Sequence, residues 1–121
     1  MSGFDWETWL IETGDQIIQK KAFGGLESLS SIEQLTYCLW VADYGMRNAG
    51  DLQTARDLYP NFQAEAAAIA NELNFTHVAE AFALSLGDLE SSYFSRFTDM
   101  CHEISNGLGP IEPGPNDASG G

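Results

Sequence analysis

A single-domain, all-α bundle of five or six helices is what this sequence predicts, and three observations carry that expectation. Apolar residues recur at helical spacing from about residue 5 to residue 105, no stretch alternates with the two-residue period of a half-buried strand, and the breaks between apolar runs carry helix-ending and helix-starting residues. With 121 residues and 44% apolar side chains, the chain is long enough to bury one core and too apolar to be read as disordered.

The first helix is expected over about residues 5–22. Trp6, Trp9, Leu10, Ile17 and Ile18 form its inner face and Glu12, Asp15 and Gln19 its outer one, with Gly24-Gly25 ending it. Ser30-x-x-Glu33 and Ser31-x-x-Gln34 are overlapping capping boxes, so the second helix starts near residue 31. Leu35, Cys38, Leu39, Val41 and Ala42, flanked by Tyr37 and Trp40, make that helix apolar nearly all round, the pattern of a bundle's buried centre. It is expected to run out near Tyr44-Gly45, with Arg47-Asn48-Ala49-Gly50 as a turn.

Asp51 then caps a short helix over about 52–59, which Pro60 stops. Asn61 caps another, with Phe62, Ala66, Ile69, Ala70 and Leu73 inward and Glu65 and Glu72 outward. Val78, Ala81, Phe82 and Leu86 form a further short helix ending at Gly87. Asp88 caps the last, about 89–105, with Tyr93, Phe97, Met100, Cys101 and Ile104 as its core stripe and Asn106-Gly107 as its stop. The helical domain is therefore placed at 1–106. Residues 107–121, more than half Gly or Pro, are expected to be a flexible tail.

Charge is what sets the chain apart. Eighteen Asp and Glu face five Lys and Arg, a formal net charge of −13. Lys20, Lys21, Arg47, Arg56 and Arg96 are all the cations there are. Such imbalance opposes direct binding to nucleic acid, which needs cations against phosphate, and favours a basic partner instead. Ordinary solvated helices interleave Glu with Lys four residues apart. Here Asp43–Arg47 and Arg96–Asp99 are nearly the only opposite pairs at helical spacing, which leaves Glu12, Asp15, Asp51, Asp57, Glu65, Glu72, Glu80, Asp88 and Glu90 as the candidate partner-binding carboxylates. Reversing Glu65 and Glu72 together is expected to slow association without unfolding the domain.

No catalytic constellation is legible. His77 and His102 are the only imidazoles, no Gly-x-Ser-x-Gly or phosphate loop is present, and the chain reads as a non-enzyme without a cofactor. Asp99, His102 and Glu103, at i, i+3 and i+4, share a helix face that could hold a divalent ion, but no second ligand pair repeats as bundle metal sites require. The preferred reading is a solvated face with Arg96, and no metal is assigned. Cys38 and Cys101 fall inside apolar patterns and are read as reduced core thiols. No apolar stretch approaches the ~20 residues of a membrane span and no secretion signal stands at the N-terminus, so a cytoplasmic protein is expected. Phe4, Trp6 and Trp9 are read as the inward anchor of the first helix, or, if exposed, as an interface, with a homodimer among the expectations.

The stretch from Leu39 to Gln53, LWVADYGMRNAGDLQ, resembles the signature of the DNA-mimic protein family, with Asn48, Gly50, Leu52 and Gln53 at matching positions. Ala49 stands where that family has its first glycine, and the aromatic run after Gln53 is missing. The resemblance covers this segment alone. It implies an acidic, all-helical protein, often dimeric, that occupies the DNA-binding surface of a regulator, and it brings no catalytic residues. The spacing is compatible, since strand phosphates lie ~7 Å apart and helix positions i and i+4 lie ~6 Å apart along the axis.

The functional expectation is an acidic binding or inhibitor protein that captures a basic surface, such as that of a DNA- or RNA-binding protein or a nuclease. Immunity, antitoxin and anti-defence inhibitors of a nuclease complex fit the same chemistry. The contrasting expectation is an assembly module whose acidity serves only to keep it dissolved.

Overall fold

The computed structural model describes residues 5–108. Phe4 and the tail from residue 109 lie outside them. The described chain is all-helical: α1 (Trp6–Gly24), a single 3-10 turn (Leu26–Ser28), α2 (Ser31–Ala49), α3 (Gln53–Leu58), α4 (Phe62–Leu73), α5 (Thr76–Phe82) and α6 (Leu86–Leu108). Helix α2 is the centre, in contact with α1, α3, α4 and α6, while α5 bridges α4 and α6.

The reason lies in the faces. Leu35, Cys38, Leu39, Val41 and Ala42 are fully buried, so α2 has apolar neighbours on several sides. Leu10 and Ile17 of α1, Phe62, Ala66 and Ala70 of α4, and Tyr93, Met100, Cys101 and Ile104 of α6 are also fully enclosed. Burial of this set is the main favourable term in folding. Both cysteines are free and buried, as their apolar settings predict. Trp6 and Trp9 pack half-buried on the core edge, their rings edge-on at 5.5 Å.

Local chemistry starts α2 where expected. Ser30 and Glu33 form the full capping box, and Glu33 is also buried against Lys20 of α1, whose Nζ donates to both carboxylate oxygens at 2.9 and 3.2 Å. One carboxylate thus caps a helix and clamps two helices together. Glu33→Gln should cost about 2 kcal/mol, since the Lys20 ammonium, mostly shielded from water, then lacks its counter-charge. A urea midpoint unchanged from wild type would refute that assignment.

Several boundaries and caps differ from the sequence expectation. Helix α2 continues past Gly45 through residues 47–49, and its left-handed cap is Gly50, φ 78°. Gly45 lies close against the backbone of α3 and the turn before it: a Cβ there would stand 3.0 Å from the Asp51 carbonyl oxygen and 3.1 Å from the Ala55 nitrogen. The glycine serves contact, not termination. Helix α5 ends at Phe82, and Leu86 and Gly87 open α6, where Ser85 is the residue that caps: its Oγ accepts from Asp88 N–H at 3.2 Å. Asp88 is therefore a first-turn carboxylate near the helix's positive end rather than the cap. Helix α6 also runs through Asn106-Gly107 to Leu108. Asp51 lies one residue outside the N-cap Leu52, yet its carboxylate still accepts from Gln53 N–H at 3.0 Å. Asn61 precedes α4 without a side-chain capping bond.

Among the described residues, no helix is long and apolar enough to cross a membrane.

Candidate functional site: the groove between the first and second helices

Most of the few cations are engaged within the folded molecule. Lys20 is held by Glu33 between α1 and α2. Lys21 lies over the Tyr37 ring, 5.4 Å from its centroid. Arg47 is the most engaged cation: its Nε donates to both Asp43 oxygens at 3.0 Å, its Nη1 stands 3.4 Å from Glu7, and its guanidinium lies 5.0 and 4.8 Å from the rings of Phe94 and Phe97. Arg96 turns its Nε to Ser92 Oγ instead of to Asp99. Meanwhile Glu12, Asp15, Glu27, Glu72, Glu80, Asp88 and Asp99 are exposed, and their carboxylates make no hydrogen bond or ion pair among the described residues.

The nine candidate carboxylates divide into two groups. Glu12, Asp15, Glu72, Glu80 and Asp88 stand free in solvent, carried by α1, α4, α5 and α6. The other four are used within the molecule. Asp57 accepts from Gln53 Nε2 and Asp51 from Gln53 N–H. Glu90 reaches from α6 to accept from Leu52 N–H at 2.8 Å, clipping the loop between α2 and α3. Glu65 accepts from Gln34 Nε2 and from Tyr59 Oη, joining α4 to α2 and to the residue after α3. Reversing Glu65 would therefore disturb packing as well as surface charge, contrary to the expectation for the Glu65–Glu72 pair.

Glu103 likewise works inside the fold. Its two oxygens accept from His77 and Val78 N–H at 3.1 and 2.9 Å, supplying α5 with a cap that no local side chain provides. His102 meanwhile sits edge-on to Trp6 at 5.8 Å. Asp99, His102 and Glu103 therefore do not converge, and no metal-ligating group of three or more occurs among the described residues.

Beside Arg47 lies an open groove of about 350 Å³, lined by Glu7, Ile11 and Asp15 of α1 and by Trp40, Asp43, Tyr44, Arg47 and Asn48 of α2. The spacing i, i+4 and i+8 puts Glu7, Ile11 and Asp15 along one face of α1. On α2, Tyr37, Trp40 and Tyr44 form a ladder of nearly parallel rings: Tyr37–Trp40 at 6.3 Å and 9°, Trp40–Tyr44 at 5.5 Å and 18°. Gly14 lets the Trp40 indole pack close against α1, since a Cβ there would meet Trp40 Cδ1 at 2.3 Å. The groove thus has an aromatic wall, an aliphatic residue that remains 49% exposed (Ile11), and carboxylates at both ends.

Beneath it, Asp43 is buried and accepts from Tyr93 Oη at 2.7 Å as well as from Arg47. Burial pushes the Asp43 carboxyl above its ordinary value, against the opposing pull of the Tyr93 hydrogen bond and Arg47. Burial likewise holds the Tyr93 hydroxyl well above the usual tyrosine range.

Of the carboxylates that the sequence marks as candidates, Asp15 alone lines the groove. Sequence reasoning misses Glu7, Ile11, Trp40 and Tyr44 as a group because they come from two helices. The available signal is the apolar Ile11 on an otherwise polar helix face.

No family model, curated protein or solved structure matches the chain.

Proposed function

We propose that this is a non-catalytic binding protein that captures a basic protein surface through its carboxylates. One observation supports the reading: apart from Arg56 the few cations are engaged within the fold or on its aromatic rings, while Glu12, Asp15, Glu72, Glu80 and Asp88 project into solvent without counter-charges. An imbalance of that kind steers oppositely charged partners and costs the lone protein self-repulsion. A surface that ordinarily meets phosphate has the required positive field, so a nucleic-acid-binding protein or nuclease is the proposed partner class, and occupancy of its nucleic-acid site the proposed consequence.

The test is association with a cationic protein captured from native lysate, followed as a function of salt. The complex is expected to dissociate as salt rises, with the on-rate falling steeply once screening shortens the reach of exposed charges to ~8 Å or less. Glu12→Lys with Asp15→Lys should slow association at least about tenfold at low salt without lowering thermal stability, because both side chains are exposed and unbonded. An on-rate flat from low to high salt would remove the proposal.

A further inference from the structure

We infer that the groove between α1 and α2 is a receptor for an arginine side chain of the partner, an inference that rests on the proposed capture of a basic surface and names the contact within it. The molecule displays the chemistry on its own Arg47. That guanidinium is held by the carboxylates of Asp43 and Glu7 and by the aromatic rings of Phe94 and Phe97. The groove that Arg47, Asp43 and Glu7 help to line carries a further carboxylate and ring. Tyr44, stacked on Trp40 and 43% exposed, ends the ring ladder in the groove, and Asp15 is an exposed carboxylate without a bonded partner among the described residues.

A guanidinium suits these features better than an ammonium. It is planar, stacks on aromatic faces, pairs with a carboxylate through two parallel N–H groups and gives up its hydration more readily. Its methylene stem needs apolar cover, and Ile11 stands between the two α1 carboxylates to give it. A lysine would keep the charge attraction but lose the stacking. The groove therefore selects arginine over lysine within a generally cation-seeking surface.

Titration calorimetry with blocked hexa-arginine and hexalysine peptides, at low salt on the full chain, tests this. The arginine peptide is expected to bind about 5–10-fold more tightly, the worth of one partly desolvated cation–aromatic contact. Tyr44→Ala and, separately, Asp15→Asn should bring the arginine peptide down to the lysine level, and Glu72→Gln with Glu80→Gln should leave the ratio unchanged. Equal binding of both peptides to the wild-type chain would overturn the arginine assignment while leaving capture of basic surfaces standing. Binding of neither would overturn both. Self-association abolished by Arg56→Gln, the exposed arginine outside this cluster, would reassign the occupant to a second copy of the chain and overturn the partner assignment.

Discussion

Asp43→Ala is expected to lower stability by about 3 kcal/mol, enough to reduce the melting temperature of a domain this size by more than about 10 °C. The carboxylate is buried in the interior between α2 and α6, where one oxygen receives the Tyr93 hydroxyl and both receive Arg47 Nε. Removing it strands a fully enclosed hydroxyl and leaves the guanidinium with the more exposed Glu7, at 3.4 Å, as its remaining counter-charge. Because Arg47 remains partly in water, the loss belongs at the lower end of the range for breaking a buried ion pair. Asp43→Asn keeps an acceptor for Tyr93 and should cost less, and Tyr93→Phe should cost about 1–2 kcal/mol. Denaturant midpoints for the three variants give the order, and a wild-type midpoint for Asp43→Ala would refute the role.

The same group makes stability depend on pH in a definite sense. Its folded-state value is raised above the ordinary 3.8, so between those two values the folded protein holds the proton that the unfolded chain has released. The contribution is complete below 3.8 and is lost as pH rises through the folded value. Relief of self-repulsion on a chain of net charge −13 acts in the same direction. Asp5 opposes it: its bond from Thr8 lowers its value, but at a wholly exposed position. The melting temperature should therefore be higher at pH 4, just above the ordinary value, than at pH 7.5, with a smaller difference in Asp43→Asn. A lower melting temperature at pH 4 would contradict this balance.

Gly14→Ala should destabilise by about 2 kcal/mol, although alanine is the better helix former by ~1 kcal/mol. The added methyl would stand 2.3 Å from Trp40 Cδ1 and 2.8 Å from its Cγ, and an indole bounded by Tyr37 and Tyr44 has little room to withdraw. Forcing it out would break the ring ladder and deform the groove, so the loss should come with a changed tryptophan emission spectrum. Gly87→Ala is the matched comparison. Nothing lies within 4 Å of its added Cβ, and the residue sits in the first turn of α6, so that substitution should be neutral or stabilising by up to about 1 kcal/mol. The two replacements are identical in chemistry and opposite in expected sign. Stabilisation by both would mean that Trp40 does not rest on Gly14.

Much of the fold is legible in the sequence because its signals are local. The buried stripe of α6, from Tyr93 to Ile104, and the Ser30–Glu33 capping box lie within a few residues of one another, and the structure holds both as expected. Glycine misleads wherever its role is set by a distant element. Gly45 reads as a stop because its own helix says nothing of the α3 backbone against it. The carboxylates mislead for the same reason. Glu65, Glu90 and Glu103 look like solvated charge along their helices, yet each reaches a group on another element, and Glu90 and Glu103 do so to backbone amides that composition cannot reveal. The groove needs two helices at once. Asp15 is visible as an unpaired charge, but not the rings opposite it.

The enclosed sulfurs have a practical use. Cys38 and Cys101 are the only thiols in the sequence, both are fully buried, and burial raises both far above the range in which a thiolate forms at neutral pH. The native protein should thus be silent towards maleimide dyes, and a cysteine placed at Asn48, on the rim of the groove, would carry the sole fluorophore and report occupancy directly.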